Sequence, residues 1–297
     1  MGRFLQDIFE IPKRQEKPRK KGITVVIDSG WRNARSELVA NSAPYFDVVK
    51  STVPCLYMDE NFVRKNIEAY RNLGLDVQIA GVCFEIAALQ GKEKEYLKKV
   101  KEFGINVVEI ESHAAGISLA KMKSEVKRYK DQGFKVVGEV GAKWWHADWT
   151  RINRDTIDVG KVIESMSQFL EAGADYVYWE GMVIRSLIGN HLENRAGQAQ
   201  LLEVARAVDR DKVVFEVWSG RGNVDRPLHG WLIHHFGPDI NIGNLHLQEI
   251  FNLESIRRGL TYDPDHPYLR WLSQKKPTKN WWEIESPDYS EDIEPLT

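Results

Sequence analysis

Eight short apolar segments with the pattern of buried β-strands recur along this chain. They are rich in valine and isoleucine, and each is five or six residues long. They follow one another at about 25 to 40 residues, the length that a strand and its crossover helix occupy together. The eight segments are residues 23–28, 46–50, 76–80, 106–110, 135–139, 175–180, 212–216 and 239–244.

Helical patterns lie between these segments. The clearest are residues 59–73, 118–132 and 156–172, and a glycine follows each of them, as is common where helices end. Alternation of strand and helix repeated eight times predicts an α/β protein with a closed (β/α)8 TIM barrel. An open doubly wound sheet is disfavoured because no GxGxxG motif follows the first segment.

The chain divides into a barrel and two extensions. Residues 22–260 are expected to form the barrel, which is close to the usual size of about 250 residues for this fold. Residues 1–21 form an N-terminal arm whose basic run, KRQEKPRKK, lacks aromatic residues, so we expect a solvated lead-in rather than a nucleic-acid contact. Residues 261–297 are rich in proline and tryptophan, and we expect this extension to pack on the barrel or on a neighbouring subunit of a homo-oligomer.

The overall composition excludes several classes of protein. The net charge of -2 gives no general attraction to nucleic acid or to a membrane surface. No apolar run approaches the ~20 residues that span a bilayer, and the N-terminus lacks a signal-peptide pattern. Cys55 and Cys83 form no CxxC motif, so neither a disulfide framework nor a structural zinc site is predicted. We therefore expect a cytoplasmic protein that acts on a small molecule, with no nucleic-acid or membrane partner.

Acidic side chains close many of the predicted strands. In TIM barrels the reactive groups lie at the C-terminal ends of the strands, where the loops converge. So many carboxylates could not all stay ionised in a shared mouth without a compensating cation. Oxygen ligands favour a hard ion such as Mg²⁺ over zinc. The residues at these ends are Asp28, Lys50, Glu109, Glu139, Glu180 and Glu216, with Glu85 just after the third segment.

The segment KVVGEVGAKWWHADW, residues 135–149, carries the strongest single signal. Glu139 ends an apolar strand and Lys143 follows within one loop, and a carboxylate placed there is costly to bury unless a cation meets it. Lys50 likewise ends an apolar strand and needs those carboxylates or an anionic ligand beside it. The pattern predicts that all three residues belong to the active site.

Two further features leave alternatives open. His113 and His146 lie in the loops after the fourth and fifth segments and could complete a transition-metal site with Glu109 or Glu139, or they could be ordinary loop histidines. The stretch Asn241, Gly243 and Asn244, assigned to the end of the eighth strand, lies where many barrels bind phosphate through backbone N–H groups.

The chain resembles the phosphosulfolactate synthase family over roughly residues 17–260. The similarity is carried, in order and spacing, by KPRKKGITVVID, YFDVVK, GVCFE, VVEIE, GEVGAK, EAGADYVYWEG, KVVFE and FGPDINIGNLHLQEIFNLESIRRGL. The resemblance implies a (β/α)8 barrel and the Mg²⁺-dependent addition of sulfite to phosphoenolpyruvate, on the way to coenzyme M.

The resemblance also implies roles for individual residues. It implies that sulfite attacks the methylene carbon of the enol phosphate and that a lysine, Lys143 or Lys50, delivers a proton to the adjacent carbon. The implied Mg²⁺ ligands are Glu109, Glu139 and Glu180, and Glu139 also belongs to the catalytic set. The implied substrate-binding residues are Asp28, Ser29, Glu85, Arg185, Glu216, Asn241, Gly243 and Asn244.

Several positions depart from the family pattern. Ser29 and Ala142 stand where the family has lysine, Ser112 where it has an acid, and Met182 where it has arginine, which Arg185 could replace. Each lost cation removes a charge-assisted hydrogen bond of about 1.5–3 kcal/mol to an anionic substrate. The changes therefore leave open a lyase or aldolase acting on a less anionic substrate, a Schiff-base aldolase that uses Lys143, or a non-catalytic, stress-associated barrel.

Overall fold

The computed structural model describes residues 4–5, 8–113, 115–141, 156–189, 191–217, 226–261, 266–274 and 279–283. Its centre is a closed barrel of eight parallel strands in chain order, with β1 beside β8. The strands are β1 Thr24–Ile27, β2 Val48–Ser51, β3 Asp76–Ile79, β4 Val107–Ile110, β5 Lys135–Val140, β6 Tyr176–Trp179, β7 Val213–Glu216 and β8 Asn241–His246. The predicted (β/α)8 barrel is therefore confirmed.

Helices surround the barrel and connect successive strands. Those in the described part of the chain are α1 Glu37–Ser42, α2 Glu60–Asn72, α3 Gly81–Leu89, α4 Glu93–Glu102, α5 Leu119–Asp131, α6 Val159–Glu171, α7 Gly181–Ile188, α8 Arg195–Ala207, α9 Arg226–Phe236, α10 Ile250–Arg257 and α11 Pro267–Ser273. The three helices predicted from the sequence are present as α2, α5 and α6. Across these described segments, we find no helix with the length and apolar character needed to cross a bilayer.

The interior of the barrel is built in layers, because residues two apart on a strand point to the same side of the sheet. The lower layer is apolar and consists of Ile23, Val25, Val48, Val107, Val137, Tyr178 and Val214. On four of the strands the residue two positions further along is charged, and its side chain also points inward. These buried residues are Lys50, Glu109, Glu139 and Glu216. The charged layer thus lies on an apolar floor, at the C-terminal side of the barrel.

The basic N-terminal arm packs against the opposite, N-terminal side of the barrel. Arg14 Nη1 lies 2.7 Å from a carboxylate oxygen of Glu254 on α10, and Arg19 Nη1 lies 2.9 Å from Asp47, just before β2. Both arginine side chains are only 5% exposed. The expectation of a solvated arm is wrong for these two residues, because buried carboxylates at this end of the barrel offer them charge-assisted hydrogen bonds.

The described part of the C-terminal extension lies on the same molecule. Helix α11 begins beside the end of α10, where the Tyr268 N–H donates to the carbonyl of Gly259. Trp271 stacks on Tyr268 at a ring distance of 5.8 Å. Trp281 is buried and lies directly against Gly259. These aromatic side chains cover the outer surface near α10.

Candidate active site

A buried ion triad occupies the centre of the barrel mouth. Lys50 Nζ lies 2.8 Å from Oε1 of Glu109 and 3.1 Å from Oε1 of Glu216. The three residues occupy the last or next-to-last position of β2, β4 and β7, and their side chains meet across the barrel because all three point inward. The predicted convergence of these strand ends is therefore seen in the structure.

Two neutral residues extend the hydrogen bonding of the triad from Glu109. Tyr178 Oη donates to Gln78 Oε1 at 2.7 Å, and Gln78 Nε2 donates to Glu109 Oε2 at 2.9 Å. The same oxygen also accepts from the backbone N–H of Gly81 at 3.2 Å. Both oxygens of Glu109 are thus already engaged by this chain.

Charge and burial act against each other in the triad. Burial lowers the pKa of Lys50, but the charges of Glu109 and Glu216 outweigh it and raise that pKa well above the ordinary lysine value. Burial likewise raises the pKa of Glu109, but Lys50 and a hydrogen bond with Glu139 lower it to about 2. We conclude that the pair is an ammonium and a carboxylate.

A second acidic group surrounds His113 in the loop after β4. His113 Nε2 lies 2.5 Å from Glu139 Oε1, 2.9 Å from Glu111 Oε2 and 3.7 Å from Glu180 Oε2. One imidazole therefore faces three carboxylates from the ends of β4, β5 and β6. We call Glu111, His113, Glu139 and Glu180 the acidic centre.

The backbone of the His113 loop is held by a carboxylate on α3. Glu85 Oε1 accepts hydrogen bonds from the N–H groups of His113 at 2.7 Å and Ala115 at 3.0 Å. Glu85 is 5% exposed. Its buried carboxylate thus orients the loop that carries the imidazole.

Two glycines allow the acids of this centre to approach the barrel wall. A Cβ atom at Gly81 would overlap the Glu111 side chain, so only glycine fits at the start of α3. A Cβ at Gly141 would lie 2.7 Å from the Cβ of Glu180, and Gly141 also has φ +127°, which disfavours other residues. Glu180 is the N-cap of α7, where its Oε1 accepts from the Met182 N–H at 3.0 Å.

Glu139 links the triad to the acidic centre. Burial, followed by the charges of Glu216 and Glu111, raises the pKa of Glu139 well above the ordinary glutamate value. Its oxygens belong to two groups of possible metal ligands, each with ligand atoms within 4.8 Å of one another. These groups are Glu111, His113 and Glu139, and Glu109, Glu139 and Glu216.

The donor chemistry of the first group fits a divalent cation better. In the second group Lys50 already supplies positive charge. Around His113 the described residues offer one imidazole against three carboxylates, and a divalent ion would compensate that excess of negative charge.

Asp28 and Ser29 form hydrogen bonds with residues that do not belong to the acidic centre. Asp28 points outside the barrel wall, where its carboxylate accepts from Tyr70 Oη at 2.7 Å and from both the backbone and the side-chain amide of Asn33. Ser29 Oγ lies 2.9 Å from Thr52 Oγ1. Their substrate-binding roles stay predictions.

Arg185 lies half-buried on α7, one turn beyond Glu180.

The stretch expected at the end of β8 lies largely inside the strand, because β8 continues to His246. Asn241 begins the strand, and its side chain bonds the backbone of Ile23, Asp211 and Val213 at the opposite end of the barrel. Gly243 is paired with Glu216. Asn244 has φ +57° and a buried Oδ1 with no hydrogen-bond partner among the described residues.

Lys143, Ala142 and His146 lie outside the described residues.

A protein-family model described as (2R)-phospho-3-sulfolactate synthase (ComA) matches residues 12–263. The chain belongs to this phosphosulfolactate synthase family. A phosphosulfolactate synthase of Methanocaldococcus jannaschii is 34% identical over 247 residues, which cover 82% of this chain and 94% of the relative. The enzyme of the same name from Methanothermobacter thermautotrophicus is 30% identical, covering 86% of this chain and 95% of the relative. The expectation of an enzyme is confirmed by this membership.

More distant similarity extends to other proteins. A phosphosulfolactate synthase of Bacillus subtilis is 24% identical and covers 86% of this chain and 96% of the relative. Among solved structures, the carboxyl transferase domain of Rhizobium etli pyruvate carboxylase matches with a TM-score of 0.50 at 10% identity, over 78% of this chain and 41% of that one. The latter similarity shows the fold alone.

Three residues of the site were not selected from the sequence. Glu111 stands two residues after Glu109 and therefore points to the same side of the chain, a signal that was present in VVEIE. Gln78 is a polar residue between the apolar Val77 and Ile79 of β3. The sequence does not distinguish Tyr178 as a site residue, because aromatic residues are common in buried strands.

Proposed function

We propose that this protein is a phosphosulfolactate synthase-type lyase that adds sulfite to phosphoenolpyruvate with the help of Mg²⁺. The observation that carries the proposal is the acidic centre around His113, placed beside the Lys50 triad at the mouth of the barrel, in a chain of this family. This arrangement offers a cation site and a lysine next to each other. The reaction requires both.

The reaction balances without an oxidant or a leaving group. The sulfur of sulfite forms a bond to the methylene carbon of phosphoenolpyruvate, and the double bond of the enol breaks. One proton then adds to the carbon that carries the phosphate. The chain must therefore bind two anions together, oppose the charge that develops on the carboxylate-enolate part, and deliver one proton.

The acidic centre is the proposed metal site. Glu139 and Glu180 are retained from the predicted ligands, and Glu111 takes the place of Glu109, whose two oxygens are occupied by Lys50, Gln78 and Gly81. Mg²⁺ bound there would supply positive charge next to the enolate oxygen. His113 lies among the same carboxylates, and an imidazole ligand would favour Mn²⁺ over Mg²⁺.

Lys50 is the proposed proton donor among the described residues. Its ammonium lies on the apolar floor of the barrel and is held by two carboxylates, which fix its position beneath the mouth. Lys143 is the second candidate; it follows β5 in the sequence and lies outside the described residues. The two lysines can be distinguished by substitution, because only the proton donor should be needed for exchange of the proton at the phosphate-bearing carbon.

A less anionic substrate is the second candidate. Ser29 and Thr52 form a neutral hydroxyl pair just after β1 and β2, and Ser29 stands where the family usually has a lysine. A hydroxyl pair favours a neutral acceptor or donor group over a phosphate oxygen. Under this reading the same lyase chemistry acts on an enol acid with fewer charges.

The test is to incubate the purified protein with phosphoenolpyruvate, sulfite and Mg²⁺ and to follow the products by mass spectrometry and ³¹P NMR. We expect a phosphorylated sulfonate that is absent when any one component is omitted. A product formed only from a less charged enol acid would establish the second candidate. No product from any acceptor, together with no binding of Mg²⁺ or Mn²⁺, would leave only the non-catalytic barrel. The Glu139→Gln variant should lose this product. The matched control is Glu37→Gln, at an exposed carboxylate on α1, which should retain it.

A further inference from the structure

The two cysteines of the chain lie together outside the acidic centre. Cys55 belongs to the turn Val53–Tyr57 after β2, and Cys83 lies in the first turn of α3 after β3. The two thiols are close enough for each to shift the pKa of the other. They are the only cysteines in the sequence. Both thiols are free, and they follow the neighbouring strands β2 and β3.

A cavity gives access to this pair. It has a volume of about 560 Å³ and lies between the Val53–Tyr57 turn and helices α2, α3 and α4. Cys55 and Cys83 both line it, as does Tyr96, whose buried hydroxyl has no hydrogen-bond partner among the described residues. A water molecule occupies about 30 Å³ in the liquid, so the cavity can admit a small polar oxidant.

The two thiols have unequal environments. Cys55 is half-buried, and the hydrogen bond from Cys83 lowers its pKa. Cys83 is 5% exposed, and its bond to Cys55, followed by burial, raises its pKa. Cys55 is the more exposed of the two thiols, so an oxidant that enters the cavity meets it first, and Cys83 is placed to react second.

We propose that Cys55 and Cys83 form a peroxide-reactive dithiol site, which closes to an intramolecular disulfide. In the first step Cys55 attacks hydrogen peroxide or an organic hydroperoxide, giving a sulfenic acid and releasing water or an alcohol. In the second step the Cys83 sulfur attacks the sulfenic sulfur, and the Cys83 proton leaves with the sulfenic oxygen as water. Two thiols are oxidised and one peroxide bond is reduced.

The cross-link would join two segments that border the active site. The N–H of Ala80, directly before α3, donates to the carbonyl of Ser51 at the end of β2. Next to it, Gly81 contacts both Glu109, through its N–H, and the Glu111 side chain. Cys83 and Gly81 lie in the same helical turn of α3, so the disulfide would form close to a residue that contacts both the triad and the acidic centre.

The experiment uses the full-length reduced protein and a series of hydrogen peroxide concentrations. After each reaction the protein is unfolded, its remaining thiols are alkylated with N-ethylmaleimide, and its mass is measured before and after reduction with dithiothreitol. We expect a monomeric product that has lost two hydrogens, takes up no maleimide and regains both thiols on reduction. Proteolysis without reduction should give one linked pair of peptides that contain Cys55 and Cys83.

Single serine variants test the assigned order. Cys83→Ser should accumulate sulfenic or sulfinic acid at Cys55, and Cys55→Ser should leave Cys83 reduced under the same exposure. Circular dichroism establishes that both variants are folded. The proposal is overturned if both thiols remain alkylatable, if oxidation stops at sulfinic acids without a link in the wild type, or if the link joins two chains. These outcomes do not depend on the substrate of the enzyme.

Discussion

Nε2 of His113 lies 2.5 Å from Oε1 of Glu139, which joins the loop after β4 to the end of β5 across the barrel mouth. The contact places an imidazole among three carboxylates, of which Glu139 and Glu180 were predicted from the sequence as metal ligands. It also makes the position of the His113 loop critical, because the imidazole reaches the centre only from that loop.

Removal of the Glu85 carboxylate should weaken metal binding without touching the metal ligands. Glu85→Ala deletes the acceptor for the N–H groups of His113 and Ala115. Loss of such an orienting group typically costs about 10- to 100-fold in metal affinity. Isothermal titration calorimetry with Mg²⁺ and Mn²⁺ measures the change. Glu85→Gln keeps an acceptor oxygen and should retain most of the affinity; equal affinities for wild type and Glu85→Ala would show that this carboxylate does not position the loop.

Replacement of Gly81 by alanine should destabilise the protein. The added Cβ would overlap Glu111, and excess volume in a packed region costs about 1–3 kcal/mol. Urea unfolding measures this loss. The matched control is Gly160→Ala in α6, where a Cβ would meet only Asp158 at 3.6 Å and alanine is the better helix former. The prediction fails if both variants are as stable as the wild type.

Acid should destabilise the fold through His229 on α9. Burial, followed by the charges of Arg257 and Arg185, lowers the pKa of His229 from 6.5 to about 3. Between these values the unfolded chain binds a proton that the folded chain does not, so stability rises with pH across this window and falls as the pH drops from 6.5. From pH 7 to pH 5 this residue alone should cost about 2 kcal/mol.

The His229→Phe variant isolates that contribution. Nε2 of His229 has no hydrogen-bond partner in the described part of the chain, so replacement by phenylalanine removes no hydrogen bond of this atom there. The free energy of unfolding should fall less between pH 7 and pH 5 in the variant than in the wild type, by about 2 kcal/mol. Parallel pH profiles for the two proteins would contradict the assignment.

Truncation of Arg14 should loosen the arm and the barrel end beneath it. Arg14→Ala leaves the buried Glu254 with Arg258 as its remaining ion-pair partner among the described residues. Breaking a buried pair typically costs 3–5 kcal/mol, and the surviving partner places this case near the lower figure, at about 3 kcal/mol. Chemical denaturation compares this variant with Lys13→Ala, an exposed neighbour in the same arm, which should be close to neutral. A neutral Arg14→Ala would show that the arm adds little to stability.

Strand positions and the barrel followed from the sequence because valine-rich segments recur at regular spacing. The inward face could also have been derived. Val107 and Glu109 share a face with Glu111, whereas Asp28 follows the outward Val26 and therefore meets α2 instead of the mouth. Selection by strand end alone thus included Asp28 and missed Glu111.

Other parts of the site could not be obtained from strand patterns. The approach of His113 to Glu139 depends on a loop that Glu85 holds from another element, and no local spacing reports such a contact. The burial of Arg14 likewise depends on Glu254, which is 240 residues away in the chain. A basic run by itself carries no information about a distant carboxylate.

The most direct test of the account is the initial rate of sulfonate formation from phosphoenolpyruvate and sulfite, measured against Mg²⁺ concentration for the wild type and for Glu139→Gln, with Glu37→Gln as control. We predict a saturable Mg²⁺ dependence for the wild type and the control, and a rate at least about 100-fold lower for Glu139→Gln, which loses a carboxylate shared by both halves of the site. A rate that is independent of divalent cations, or unchanged in Glu139→Gln, would contradict the account.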